Sequence, residues 1–177
     1  MPENDSQTLL LRATPNGNNA VVELLLARED IDPDMPDSGG RTPLLWAAGY
    51  GYNGIVQLLL GRKDVDPNMS DIGRRTLLSW AAEIGREGVV KLLLGREDVN
   101  PNMPDNRDRA PLSWAAEKGH DPVVKLLLGR DDVNPDILDI RGQTLVVKLL
   151  LEREDGVAKA WDFFFFIYRV PVRKNSL

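Results

Sequence analysis

The chain has 177 residues, 42% of them apolar, and a formal net charge of −5 at pH 7. This length predicts one elongated domain with a sizeable core, and the excess of acidic residues gives no general attraction to nucleic acid or anionic membranes. Because cysteine is absent, disulfides and thiolate zinc sites are excluded.

Two short apolar segments joined at a glycine recur every 34 residues, as Trp46, Trp80 and Trp114 show. A unit of this length with two helices cannot bury its apolar face alone, so neighbouring copies must stack into a solenoid. We predict a repeat domain over 1–158 and an aromatic C-terminal tail over 159–177. The domain holds four full units and a fifth that lacks 11 residues, namely 7–40, 41–74, 75–108, 109–142 and 143–158.

The first helix of each unit is predicted to begin at a threonine, whose hydroxyl can cap the free N–H groups of the first turn. These caps are Thr8, Thr42 and Thr76. In the fourth unit Ala110 takes this place, which should cost about 1 kcal/mol. Each first helix should end at a glycine, because glycine adopts the left-handed conformation without strain. These glycines are Gly17, Gly51, Gly85 and Gly119.

The second helix is predicted to start two or three residues later, with Asn19, Asn53 or Asp121 as its cap. It carries most of the apolar side chains, as in the sequence VVKLLL at 89–94. Such a pattern is typical of a helix packed between its partner helix and the next unit. A charged connector rich in Pro, Asn and Asp follows, which predicts turns.

These residues resemble the ankyrin repeat. In the second unit TPLLWAA at 42–48, Gly51, IVQLLL at 55–60 and DVD at 64–66 are similar to the family's TPLHxAA, GH, VVxLLL and DVN. The match recurs four times in register, and the near-identical copies are similar to those of large fungal ankyrin proteins. The resemblance implies an all-α solenoid of stacked helix-turn-helix units with hairpin-like connectors, which acts as a non-catalytic protein-binding module or scaffold.

The sequence also departs from the family pattern. The family's histidine is replaced, so its hydrogen bonds between units should be absent or substituted; the residues in its place are Leu11, Leu45, Ser79 and Ser113. The hairpin glycine is Gly40 in the first unit but Arg74 and Asp108 in the next two, and aspartate tolerates a left-handed backbone better than arginine does. The first unit has Arg12 in place of tryptophan and Pro15 late in its first helix. We expect it to be a terminal cap with a polar outer face.

Residues that could suggest chemistry have structural interpretations. The tryptophans are expected to pack in or beside the core rather than to bind a ligand. His120 is the only histidine, and a lone histidine cannot build a metal site or a catalytic triad. Acidic pairs such as Glu97-Asp98 lie beside an arginine, which predicts local ion pairs between these carboxylates and the arginine. We therefore predict no enzymatic activity, no cofactor and no metal.

The units differ most at the hairpin tips and at the ends of the first helices. In ankyrin proteins these positions line the concave face that holds partner proteins, so the resemblance implies a partner-binding role for them. Drift at unconstrained surface sites would explain the same variation. The predicted partner-binding residues are Ser38, Arg41, Tyr50, Ile72, Arg74, Arg75, Glu83, Ile84, Asn106, Arg107, Arg109, Glu117, Lys118, Ile140 and Arg141.

The arginines of this set favour an acidic protein or peptide as the partner of a monomeric chain. Two alternatives stay open, which are nucleic-acid binding through the arginine-rich hairpins and a truncated fragment of a larger signalling protein without independent function. A steep loss of affinity with salt would indicate nucleic acid. We expect no membrane association, and a cytoplasmic location with the nucleus as the alternative, since no secretory signal is recognised. In the tail, Trp161 and Phe163–Phe166 are expected to cover the end of the solenoid, or else to belong to a frameshifted end that promotes aggregation.

Overall fold

The computed structural model describes the backbone of residues 5–134 and the side chains of residues 9–134. This part of the chain contains eight helices and no strand beyond one isolated bridge between Ser70 and Thr76. The helices are α1 (Asp5–Ala13), α2 (Asn19–Leu26), α3 (Pro43–Tyr50), α4 (Asn53–Leu60), α5 (Leu77–Ile84), α6 (Glu87–Leu94), α7 (Pro111–Lys118) and α8 (Asp121–Leu128). The predicted all-α fold class is confirmed. None of these helices is both long and apolar enough to cross a membrane.

Four predictions fall outside the described residues. They concern the truncated unit at 143–158, the tail at 159–177, and the two partner-binding residues Ile140 and Arg141. The boundaries assigned to the repeat domain also stay a prediction.

The helices are paired within units and stacked between them. α3 packs on α4, α5 on α6 and α7 on α8, while α5 lies between α3 and α7, and α4 lies between α2 and α6. One core therefore runs through all described units, from Leu10 to Val133. Equivalent residues of successive second helices, Ile55, Val89 and Val123, are buried at the interfaces. The stacked packing of the solenoid was predicted from the period alone.

Both ends of α3, α5 and α7, the first helices of the second to fourth units, were predicted correctly. The hydroxyl of Thr42 accepts a hydrogen bond from the Leu45 N–H, and that of Thr76 accepts one from the Ser79 N–H, both at 3.3 Å. Ala110 offers no such bond to α7. The helices end at left-handed glycines whose φ angles are 76°, 75° and 73°, namely Gly51, Gly85 and Gly119.

The first unit differs from its prediction at both ends of α1. The helix begins at Asp5, so Thr8 lies inside it and is not its N-cap. Ser6 is helical here, whereas its counterpart Gly40 has a φ of 75° that cannot continue a helix. α1 also ends at Ala13 and not at Gly17, because Pro15 lacks an N–H and disfavours helical geometry in the residue before it.

The predicted caps of the second helices were wrong by one residue. Asn19, Asn53 and Asp121 are the first helical residues, not the caps. The turn after each glycine is tighter than expected, since the Asn53 N–H already donates to the Gly51 carbonyl at 3.0 Å. Only α2 among these helices has a side-chain cap, in which the Asn18 side chain accepts from the Val21 N–H.

The outer face of the first unit is not polar as expected. Leu9, Val21 and Leu24 are exposed there, and Leu24 is 72% exposed. In the second unit the counterparts of Val21 and Leu24 are Ile55 and Leu58, which are buried and half-buried. The difference follows from stacking. The second unit packs through α4 on α2 of the first unit, whereas no described unit precedes the first one and covers the other side of α2.

Candidate protein-binding surface

Each of the three connectors that the structure describes in full ends in a turn built around an aspartate, which is half-buried as Asp37 and buried as Asp71 and Asp105. Asp71 accepts hydrogen bonds at Oδ1 from the Gly73 and Arg75 N–H groups, at 2.8 and 3.0 Å. Its Oδ2 accepts from Nε1 of Trp80 at 3.1 Å and forms an ion pair with the Arg75 guanidinium at 3.2 Å. That guanidinium also lies over the Trp80 ring, 3.6 Å from its centroid. We call this group the aspartate–arginine–tryptophan cluster.

The same cluster occurs in the preceding unit, where Nε1 of Trp46 donates to Asp37. In the following unit it lacks this bond, because Nε1 of Trp114 has no hydrogen-bond partner among the described residues. Arg41 and Arg109 lie 4.0 and 3.5 Å from the centroids of Trp46 and Trp114, and they pair with Asp37 and Asp105. The tryptophans are buried or half-buried, as predicted. Burial acts to raise the pKa of Asp105, but hydrogen bonds from two backbone N–H groups and the charge of Arg109 outweigh it, so this pKa lies below its usual range. The pKa of Asp37 is lowered in the same way.

Several of the predicted partner-binding residues therefore have partners inside the molecule. Arg41, Arg75 and Arg109 recur along the hairpins as predicted, but each is paired with the aspartate of its cluster. Glu83 forms a second ion pair with Arg75 at 3.1 Å, and Glu117 forms one with Arg109 at 3.6 Å. These two pairs join the hairpins to the far ends of α5 and α7, so hairpins and first-helix ends share one face.

The hairpin tips project members of the set that form no ion pair with a described residue, although the Asn106 side chain donates to the Ile72 carbonyl at 3.1 Å. Ile72 is 77% exposed, and Ser38 and Asn106 are exposed at the equivalent positions. Arg74 and Arg107 are exposed as well, and their guanidinium groups form no ion pair with another described residue. Neighbouring tips are joined by backbone hydrogen bonds, from the Ile72 N–H to the Gly39 carbonyl at 3.2 Å and from the Asn106 N–H to the Gly73 carbonyl at 3.0 Å. The tips thus form a continuous edge.

The first-helix ends add two apolar side chains and a cation to this face. Tyr50 and Ile84 are 47% and 37% exposed, and Lys118 occupies the next equivalent position. Tyr50 stacks between Trp46 and Tyr52 with centroid separations of 5.7 and 5.6 Å. Its ring is therefore held in place rather than free to turn.

His120 has the structural role that was predicted for it. Its Nε2 lies 3.0 Å from the Glu83 carbonyl oxygen in the preceding unit. The imidazole also covers Gly85, where a Cβ would come within 2.7 Å of it. Gly85 is thus required for close approach as well as for its φ of 75°, and sequence reasoning had found only the second reason.

The acidic pairs of the connectors form local ion pairs, as predicted. The Arg96 guanidinium binds Asp98 at 2.6 Å, and this hydrogen bond lowers the pKa of the carboxyl. The same guanidinium donates to the Leu60 carbonyl of the preceding unit at 2.8 Å. These charges therefore contribute to contacts between units, which a reading of isolated loops had missed.

Comparison with protein families decides the classification. A family model described as ankyrin repeats, three copies, matches residues 1–71 and 52–139, which together cover most of the chain. The chain belongs to the ankyrin-repeat family. Ankyrin repeats generally mediate protein–protein interactions. A search of curated proteins finds no match to the chain.

In this ankyrin chain, the serines at the position of the family's histidine form no hydrogen bond between the described units. Ser79 bonds inside its own unit, where its hydroxyl lies 3.2 Å from that of Thr76. The buried hydroxyl of Ser113 has no hydrogen-bond partner among the described residues. Bonds between units come instead from other side chains, including His120 and Arg96. The expectation that the usual bonds are absent or substituted is confirmed.

Proposed function

We propose that the chain is a non-catalytic module that binds a protein or peptide, as a monomer, on the face formed by its hairpin tips and first-helix ends. One observation carries this proposal. Among the described residues, the large apolar side chains exposed by the second to fourth units are Tyr50, Ile72 and Ile84, and all three lie at these positions. Isolated exposed apolar residues are common on protein surfaces, but their restriction to one face favours an interface.

The charges of this face favour an acidic partner. Arg74 and Arg107 are exposed there without an intramolecular ion pair among the described residues. Cations at the rim of an interface act mainly on the rate of association and on its salt dependence. Arg75 and Arg109 are less suitable for recognition, since each is already bound to two carboxylates.

The apolar part of the proposal is tested by affinity capture with the purified full chain, followed by mass spectrometry. The double variant Ile72→Asp, Ile84→Asp should lose the proteins that the parent chain captures. Leu24→Asp is the matched control, because it also places a carboxylate at an exposed apolar position but lies on the end of the solenoid. Capture that is equal for the parent chain and the double variant, with unchanged melting temperatures, would refute the proposed face.

The electrostatic part is tested on the captured partner by association kinetics. Arg74→Glu combined with Arg107→Glu should slow association, and the effect should shrink as salt is added. Lys63→Glu combined with Lys125→Glu makes the same change in charge away from the face and should have little effect. Equal slowing by both pairs would contradict a specific role for the tips. Capture of nucleic acid in place of protein, with a steep salt dependence, would favour the alternative function.

A further inference from the structure

Side chains in the connectors link the second unit to the third, and the third to the fourth, through a pair of hydrogen bonds. In Asn68, Oδ1 accepts from the Asn100 N–H at 2.8 Å and Nδ2 donates to the Asp98 carbonyl at 2.6 Å. Asn102 makes the same two bonds, at 2.8 and 2.6 Å, to residues Asn134 and Asp132 of the following connector. Each of these links therefore needs one acceptor and one donor on the same side chain.

The link between the first and second units has an aspartate in this position. Asp34 lies 34 residues before Asn68, and its Oδ2 accepts from the Asp66 N–H at 2.7 Å. Its Oδ1 is buried and has no hydrogen-bond partner among the residues that the structure describes. In the repeat, this oxygen is the counterpart of the Asn68 Nδ2 donor, and the Asp64 carbonyl is the counterpart of the Asp98 carbonyl that Nδ2 binds. An ionised carboxylate can only accept, so half of the link is missing.

The surroundings of Asp34 disfavour its negative charge. Burial raises the pKa of its carboxyl, and the charges of Asp32, Asp66 and Asp64 raise it further, against the opposite effect of the hydrogen bond from the Asp66 N–H. Arg62 gives no compensation, because its guanidinium binds Asp64 and the carbonyl of Leu26. The other arginine of this region, Arg28, is likewise bound, to Asp30.

We propose that Asp34 is a proton-dependent link between the first and second units. In the neutral carboxyl, an O–H on Oδ1 donates to the Asp64 carbonyl while Oδ2 continues to accept from the Asp66 N–H. The protonated side chain then reproduces the two bonds of Asn68. Ionisation removes the donor and weakens the attachment of the first unit, which is also the unit with the exposed apolar end.

The direction of the pH effect follows from linkage. A carboxyl whose pKa is higher in the folded chain binds more protons there than in the unfolded chain, so its contribution to stability falls as pH rises through the folded pKa. The affected range lies above the ordinary aspartate value of about 3.9. Carboxyls with lowered pKa values, such as those of Asp98 and Asp105, act in the opposite direction and below that value.

Amide hydrogen exchange of the full chain tests the proposal, read as protection factors in α1 and α2. Asp34→Asn supplies the missing donor permanently, so protection in these helices should rise about tenfold at pH 7, as expected for a buried polar group that gains its partner. The gain over the parent chain should shrink as the pH approaches about 4. Glu29→Gln removes one negative charge from the same connector and should leave the protection unchanged.

The reciprocal variant Asn68→Asp tests the same idea at the second link. It should lower protection in the first two units at pH 7, with recovery on acidification. The proposal is overturned if Asp34→Asn gives no gain at pH 7, or if its gain is the same at every pH, since the proton would then have no role. Loss of partner binding in the variants of the tips would not bear on this result.

Discussion

Asp71→Asn should destabilise the chain by removing the central acceptor of an aspartate–arginine–tryptophan cluster. The carboxylate is 5% exposed. An asparagine can keep Oδ1 as the acceptor for the Gly73 and Arg75 N–H groups. Its NH₂ group would then replace Oδ2 and face two donors, the Arg75 guanidinium and the Trp80 Nε1–H.

The expected cost follows from the bonds that are lost. A hydrogen bond to a charged group contributes about 1.5 to 3 kcal/mol, and a buried donor left without a partner costs about 1 to 3 kcal/mol. Arg75 keeps its ion pair with Glu83, and its side chain is 26% exposed, so water can replace part of its lost interaction. We therefore expect Asp71→Asn to lower the free energy of unfolding by about 2 to 4 kcal/mol.

Urea denaturation of the full chain measures this cost, with Asp98→Asn as the matched control. Asp98 also pairs with an arginine, but its side chain is 53% exposed. An exposed ion pair contributes about 0 to 1 kcal/mol, so the control should change little. If both substitutions had the same cost, the buried cluster would not have the stabilising role assigned to it.

Two further predictions concern the core and the dependence of stability on pH in acid. Leu93→Ala removes a fully buried side chain and should cost about 2 to 5 kcal/mol in urea denaturation, whereas Leu25→Ala should cost less because Leu25 is half-buried in the terminal unit; equal losses would argue against a weaker first unit. The lowered pKa values of Asp37 and Asp105 contribute stability above the ordinary aspartate pKa that is lost as pH falls through the folded values. The melting temperature should therefore drop in acid, and a flat profile below about pH 4 would contradict these assignments.

The period of the sequence predicted the fold, because stacking is the only way for such short units to bury their apolar faces. Local signals also predicted the helix ends at Thr42 and Gly51, where the cap and the left-handed residue act within one turn. The cluster around Asp71 was not predicted. Its arginine and tryptophan were visible in the second, third and fourth units, but their contact depends on the hairpin turn. For the same reason Arg41, Arg75 and Arg109 were expected to be free for a partner, whereas the structure pairs each of them with an aspartate.

The clusters explain how the tips can vary while the hairpins keep their shape. The aspartate before each tip holds the backbone on both sides of the turn, as Asp71 does through the Gly73 and Arg75 N–H groups. The same aspartate recurs as Asp37 and Asp105, with the tip residues Ser38, Ile72 and Asn106 following directly. Because the turn does not depend on the tip side chain, that side chain can change without loss of the fold. Such a fixed backbone also lowers the entropy that ordering a loop would cost on binding, which favours recognition by the tips over recognition by the paired arginines behind them.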